Sequence, residues 1–144
     1  MSLLGLYDPD NIFARILRGE EPVTSVFEDD HVLGFMDAFP QSPGHILVIP
    51  KASTPRNLLE IDASELGLLI VAVQRLARAV KEALAPDGIS VLQFNGAAGG
   101  QTVFHLHFHI IPRWEQKTLM PHAQGARASD QDLRSLADRI SAAL

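Results

Sequence analysis

The stretch Thr102–Arg113, TVFHLHFHIIPR, sets His105, His107 and His109 at every second position, with Phe104, Leu106, Phe108 and Ile110 between them. Successive side chains of an extended chain point to opposite sides, so a period of two predicts a strand with one apolar face and one imidazole face. The apolar face belongs to a core. At a rise of roughly 3.3 Å per residue the histidines stand about 6.6 to 7 Å apart at Cα, close enough for several to reach one substrate.

Working outward, the chain has 144 residues, 47% of them apolar, enough for one compact domain with a proper core. We expect a single domain over 1–144, with its core in 8–114 and a tail and helix in 115–144. A net charge of −5 with 12 Lys plus Arg argues against a nucleic-acid or anionic-membrane binder, since both need a basic footprint. The chain has no cysteine, which excludes disulfides and Cys-based zinc sites. MSLLGLYDPD lacks the features of a signal peptide, and no apolar run approaches the ~18 residues of a membrane span, so the expected compartment is the cytoplasm.

The rest alternates short elements. DPDNIFARILRGE predicts a short amphipathic helix, capped by Asp10, stopped by Gly19, with Ile12, Phe13, Ile16 and Leu17 on one face. SVFEDDHVLGFMD reads as two strands around an acidic turn, and GHILVIPK as a third ending before Pro50. From Asp62, a cap with Glu65 three residues on, Leu66, Leu69, Ile70, Val73, Leu76, Val80 and Leu84 trace a long helix face. GISVLQFN and VFHLHFHIIPR supply two more strands, and SDQDLRSLADRISAAL a terminal helix capped by Ser129 that buries Leu133, Leu136 and Ile140. The sum is α+β: a five-stranded antiparallel sheet with a long helix packed on it and short N-terminal and C-terminal helices.

Imidazole, with an ordinary pKa near 6.5, can be a neutral nucleophile at one position and a donor at the next. The middle histidine of such a row can attack phosphorus while its neighbours stabilise the non-bridging oxygens. The preceding NGAAGGQT is rich in small residues that let a phosphate approach backbone N–H groups, with Gln101 and Thr102 adding side-chain groups. Two rival readings remain: histidines with purely structural bonds, and a metal site in which histidines two apart share a zinc ion.

HLHFHII resembles the signature of the histidine triad (HIT) family. The likeness extends to NIFARILRGE, VFEDDHVLGFMDAFPQSPGHILVIPK, NGAAGGQTVFHLHFHIIPR and LMPH, which resemble bacterial members of the Hint-like branch. This resemblance implies a homodimer whose two sheets join into one of ten strands, acting as a nucleotidyl hydrolase or transferase on purine nucleotides. His107 is then the nucleophile at the α-phosphate, with His105 and His109 orienting it and binding phosphate oxygens. His45 joins the same cluster. Asp37 accepts from the ribose hydroxyls; Ile12, Phe13, Ile16, Phe35 and Leu47 wall the purine. Asn95, Gly100, Gln101, Thr102 and Val103 join His107 and His109 in binding phosphate, Thr102 standing where many relatives carry Ser. Some relatives bind structural zinc through Cys-x-x-Cys at the positions of Asn11 and Ala14; without those cysteines no metal and no cofactor is expected. Arg113, Trp114 and His122 are expected to face solvent near the strand end, a place on the leaving-group side of the cleft being their other reading. The alternative to an enzyme is a purine-nucleotide-binding module with negligible turnover that acts through a protein partner.

Overall fold

A computed structural model describes residues 2–122 and 125–144. Helix α1 (Ile12–Leu17) opens the fold; strands β1 (Ser25–Glu28), β2 (Val32–Met36) and β3 (Ile46–Pro50) form a meander. Helix α2 (Ala63–Leu84) leads to β4 (Gly88–Leu92), β5 (Phe108–Arg113) and helix α3 (Asp130–Ser141). The five strands pair antiparallel, as the sequence pattern predicts, and their order is β1-β2-β3-β5-β4.

The alternation of each strand divides the core in two. Val32, Met36, Ile46, Val48, Phe108 and Ile110 meet Leu69, Val73, Leu76 and Val80 of α2, and Leu133 and Ile140 of α3. Burying each such side chain contributes about 1.5–3 kcal/mol, so this layer is the main source of stability. Gly34 lets α2 come close, since a Cβ there would stand 2.8 Å from Leu76 Cδ1. On the opposite face Leu33, Phe35, Leu47 and Ile49 pack against Phe13 of α1. Registers Phe35↔Leu47, Leu47↔His109 and Leu92↔His109 set His109 in the middle of that second face.

Four details differ from the sequence reading. The cap of α1 is Asn11, whose side-chain oxygen accepts from Phe13 and Ala14 N–H at 3.0 Å, while Asp10 lies one residue too early. Ile70 is exposed, because α2 turns Leu69, Ala72 and Val73 to the sheet instead. In α3, Leu136 is only partly buried and Ala137 is fully buried. The largest difference is β5, which begins at Phe108, so His105 and His107 precede the strand. Its ladder with β3 stops at Val48↔Phe108, and Pro50, further along β3, has no N–H to give. Leu106 N–H goes to Pro55 O, outside the sheet.

Candidate functional site

The second sheet face opens into a cleft of about 680 Å³, within the usual size for a small-molecule site. Ile12, Phe13, Ile16, Phe35 and Leu47, the five residues expected to wall a purine, all line it. His107, His109, Thr102, Val103 and Asp37 line it as well, His107 directly against Phe13 and His109 paired with Leu47.

Although His107 lies off the strand, its ring stays beside that of His109, whereas the His105 ring packs on Tyr7 and Phe13. His107 stands 5.0 Å from His109 and 4.9 Å from Phe13, centroid to centroid; His109 stands 5.2 Å from His45. Their hydrogen bonds assign the protons. Gln41 N–H donates to His45 Nδ1 at 3.1 Å, so a neutral His45 carries its proton on Nε2. That nitrogen lies 2.9 Å from His109 Nδ1, which must accept, leaving the His109 proton on Nε2. His109 Nε2 is buried with no partner among the described residues. His107 Nδ1 sits 2.7 Å from His105 O, an acceptor only, so its proton is there and its Nε2 keeps a lone pair. Burial above all, and then the neighbouring imidazoles, keep the rings neutral: His45 is lowered to about 3, His107 to about 4 and His109 to about 2.

His105 does not meet the phosphate-contact expectation. Its Nε2 faces Pro50 O at 3.1 Å and its Nδ1 accepts from Tyr7 OH at 2.6 Å, so both ring nitrogens are occupied and the ring is wholly buried. Its contribution is the carbonyl that orients His107. His45 is likewise sealed behind His109.

Asp37 keeps one oxygen on Phe39 N–H at 2.9 Å. Its other oxygen lies 3.6 Å from His45 Nε2, which is no ion pair because His45 is neutral. Burial pushes the Asp37 carboxyl up to about 6, the Phe39 bond opposing this only in part. Asp37, His45 and His109 each offer one ligand atom within 4.8 Å of the others, a set that suits a divalent cation. Such an ion would have to break the His45–His109 hydrogen bond.

The glycine-rich loop turns through Ala97–Gly99, with Gly96 at φ 76° and Gly100 at φ 105°, conformations that favour glycine. Gln101 serves as its brace: its side chain accepts from Gly96 N–H and donates to Arg56 O and Val103 O. Asn95 is also engaged within the frame, with Leu58 N–H and Gln93. Of the expected phosphate contacts, the structure brings Thr102, Val103, His107 and His109 to the cleft wall, while Asn95, Gly100 and Gln101 lie off it.

The expectation for the tail is corrected. His122 lines the cleft, its ring 5.1 Å from His109 and 5.8 Å from Phe94, and its Nε2 is 3.4 Å from Thr102 Oγ1. Arg113 and Trp114 are half-buried beside a second cavity of about 550 Å³ between the β2–β3 loop, the tail and α3. Arg127 and Arg134 also reach the first cleft, unmarked by any motif.

Known proteins share this fold. Residues 18–116 match the HIT domain, and the chain belongs to the HIT family. It is similar in structure to a Hit-like protein involved in cell-cycle regulation from Bartonella henselae, at 51% identity and a TM-score of 0.88, covering 96% of this chain and 100% of that one. A hypothetical histidine triad nucleotide-binding protein of Sulfolobus tokodaii is 32% identical with a TM-score of 0.82, over 91% of this chain and 89% of the other. Adenylylsulfatase HINT3 of Arabidopsis thaliana is 41% identical over 110 residues, which is 76% of this chain and 55% of that protein. No helix among the described residues is long and apolar enough to cross a membrane.

Proposed function

We propose that the protein hydrolyses a P–N or P–O bond at the α-phosphate of a purine nucleotide conjugate, an adenosine phosphoramidate or dinucleoside polyphosphate, through a nucleotidyl-histidine intermediate on His107. One observation carries the reading: at neighbouring positions the network leaves a lone pair on His107 Nε2 and an unpartnered N–H on His109 Nε2. The first attacks phosphorus and the second donates to a non-bridging oxygen, whose charge grows in the transition state. Phe13, Ile16, Phe35 and Leu47 take the purine, and the free oxygen of Asp37 accepts from the ribose diol. Water then releases AMP or GMP from the adduct. A pure binding module has no use for the oriented lone pair, which favours the enzyme.

The test is single-turnover reaction with an adenosine phosphoramidate, watching for label on the protein. His107→Ala should abolish both adduct and turnover, and excess chelator should leave the wild-type rate unchanged. Full activity in His107→Ala would refute the assignment.

The partner we propose is a second copy of the chain. Strand β4 is an open sheet edge carrying exposed Val91, and α2 exposes Leu68, Ile70 and Val71. Open edges and apolar faces of this kind call for a cover. Light scattering should find a dimer that Val71→Glu weakens.

A further inference from the structure

The proton assignments leave a gap in the chemistry. A leaving atom as basic as an alkylamine nitrogen needs a proton when its bond to phosphorus breaks, and the water that ends the cycle must lose one. His107 Nδ1 is committed to the His105 carbonyl, and His45 is sealed. His109 can donate a hydrogen bond from Nε2, yet giving that proton away would leave an imidazolate, because its Nδ1 already accepts from His45.

His122 has the freedom these lack. It is half-buried, in reach of both cleft and solvent, and its ring lies against His109 and Phe94 with Nε2 3.4 Å from Thr102 Oγ1. Gln41 secures it: Met120 N–H donates to Gln41 O at 3.0 Å, and Gln41 Nε2 donates to Met120 O at 3.0 Å. The residue whose N–H orients His45 thus also anchors the segment carrying His122.

We propose that His122 is the catalytic proton carrier on the leaving-group side of the cleft, protonating the departing atom and later deprotonating the water that ends the cycle. The proposal rests on the nucleotidyl-histidine reading. In the first step the His107 Nε2 lone pair forms the P–N bond, the P–X bond breaks with its electrons going to X, and X takes the proton of the His122 imidazolium. In the second, water forms the new P–O bond and gives its proton to His122, and the P–N electron pair returns to His107. The sum is conjugate plus water to nucleoside monophosphate plus HX. Burial lowers the His122 pKa in the free protein, and the anionic phosphate of a bound conjugate pushes it back up, toward the range a proton carrier needs.

The experiment compares two adenosine conjugates, an alkyl phosphoramidate whose leaving amine needs a proton and a nitrophenyl ester whose leaving group does not. His122→Gln and His122→Ala should lower kcat on the first about 10²-fold and on the second only several-fold, so the ratio of the two falls at least tenfold. An equal loss on both, or no loss on either, would overturn the proposal while leaving the His107 reading in place. Wild-type protein inert toward both, or His107→Ala as active as wild type, would remove the reading and this proposal with it.

Discussion

Gln41 N–H points at Nδ1 of His45, and this contact between a loop and a buried ring decides which nitrogen of His109 carries the proton. A donor that acts on a developing oxyanion must be set before the substrate arrives, since reorienting it during the reaction would raise the barrier.

Two variants test this. His109→Ala removes the donor and should lower kcat by about 10²- to 10³-fold, the usual cost of one lost oxyanion donor. His45→Phe keeps an aromatic ring and leaves His109 free to take either tautomer, so part of the same loss should follow with KM little changed. A His45→Phe enzyme as fast as wild type would show that the chain from Gln41 to His109 has no catalytic role.

Stability should depend on pH through the same rings. Unfolded histidine titrates near 6.5, whereas burial holds His45, His107 and His109 at about 3, 4 and 2. Below pH 6.5 the unfolded chain takes up protons that the folded chain refuses, so this stability is complete above pH 6.5 and is lost as pH falls toward those values. Asp37, raised to about 6, runs the other way and makes the folded form lose stability as pH rises from about 4 to 6. His105 and His122, also lowered by burial, act in the same direction, so the histidines outweigh the single carboxyl and stability should fall by a few kcal/mol, on the order of one per net proton, between pH 6 and pH 5. Urea denaturation at pH 7.5, 6 and 5 measures it; a flat profile would contradict the neutral cluster.

The sheet, its order of faces and the long helix were legible because each rests on a local period. The period of two in HLHFH placed the histidines together, yet the start of β5 depends on what neighbouring strands can offer, and Pro50 withholds a donor there. Asp10 and Asn11 are both good caps one residue apart, and only the reach to Phe13 and Ala14 separates them. Leu68, Ile70 and Val71 widen the apolar stripe of α2, and the pattern alone does not say which edge of it meets the sheet. His122 belongs to no periodic element. Its place follows from the pairing of Met120 with Gln41, a contact between segments distant in sequence, so LMPH could be noticed but not located.

Tyr7 reaches the buried His105 ring from the N-terminal segment. Its hydroxyl is the partner of His105 Nδ1, and His105 in turn offers the carbonyl that holds His107. Tyr7→Phe leaves that nitrogen without its donor, and stability should fall by about 0.5–1.5 kcal/mol. If the His105 ring then changes tautomer or tilts, His107 loses alignment, and kcat should fall several-fold with KM unchanged. Nitrogen chemical shifts of the His105 and His107 rings distinguish this from a general loosening. Unmoved shifts together with an unmoved kcat would limit Tyr7 to packing.

Asp37 sets function against stability. Its carboxyl is mostly buried and is raised to about 6, so at pH 7 the fold carries an ionised group that its surroundings disfavour. Asp37→Asn removes that cost. The variant should therefore be more stable than wild type at pH 7, by up to about 3 kcal/mol for a carboxyl that burial has raised from 3.8 to about 6, and below pH 6 it should lose stability more steeply, because the opposing proton is gone. An amide is a poorer acceptor than a carboxylate for a diol, so affinity for a nucleoside monophosphate should drop as stability rises, by about tenfold or more at 1.4 kcal/mol per decade. For the wild type, affinity should weaken as pH falls through 6 and the carboxylate is protonated. Calorimetric titration alongside thermal melts reads both quantities on the same samples. A variant that is less stable and binds as tightly as wild type would mean that Asp37 is held for packing in the turn toward Phe39, and the ribose assignment would go with it.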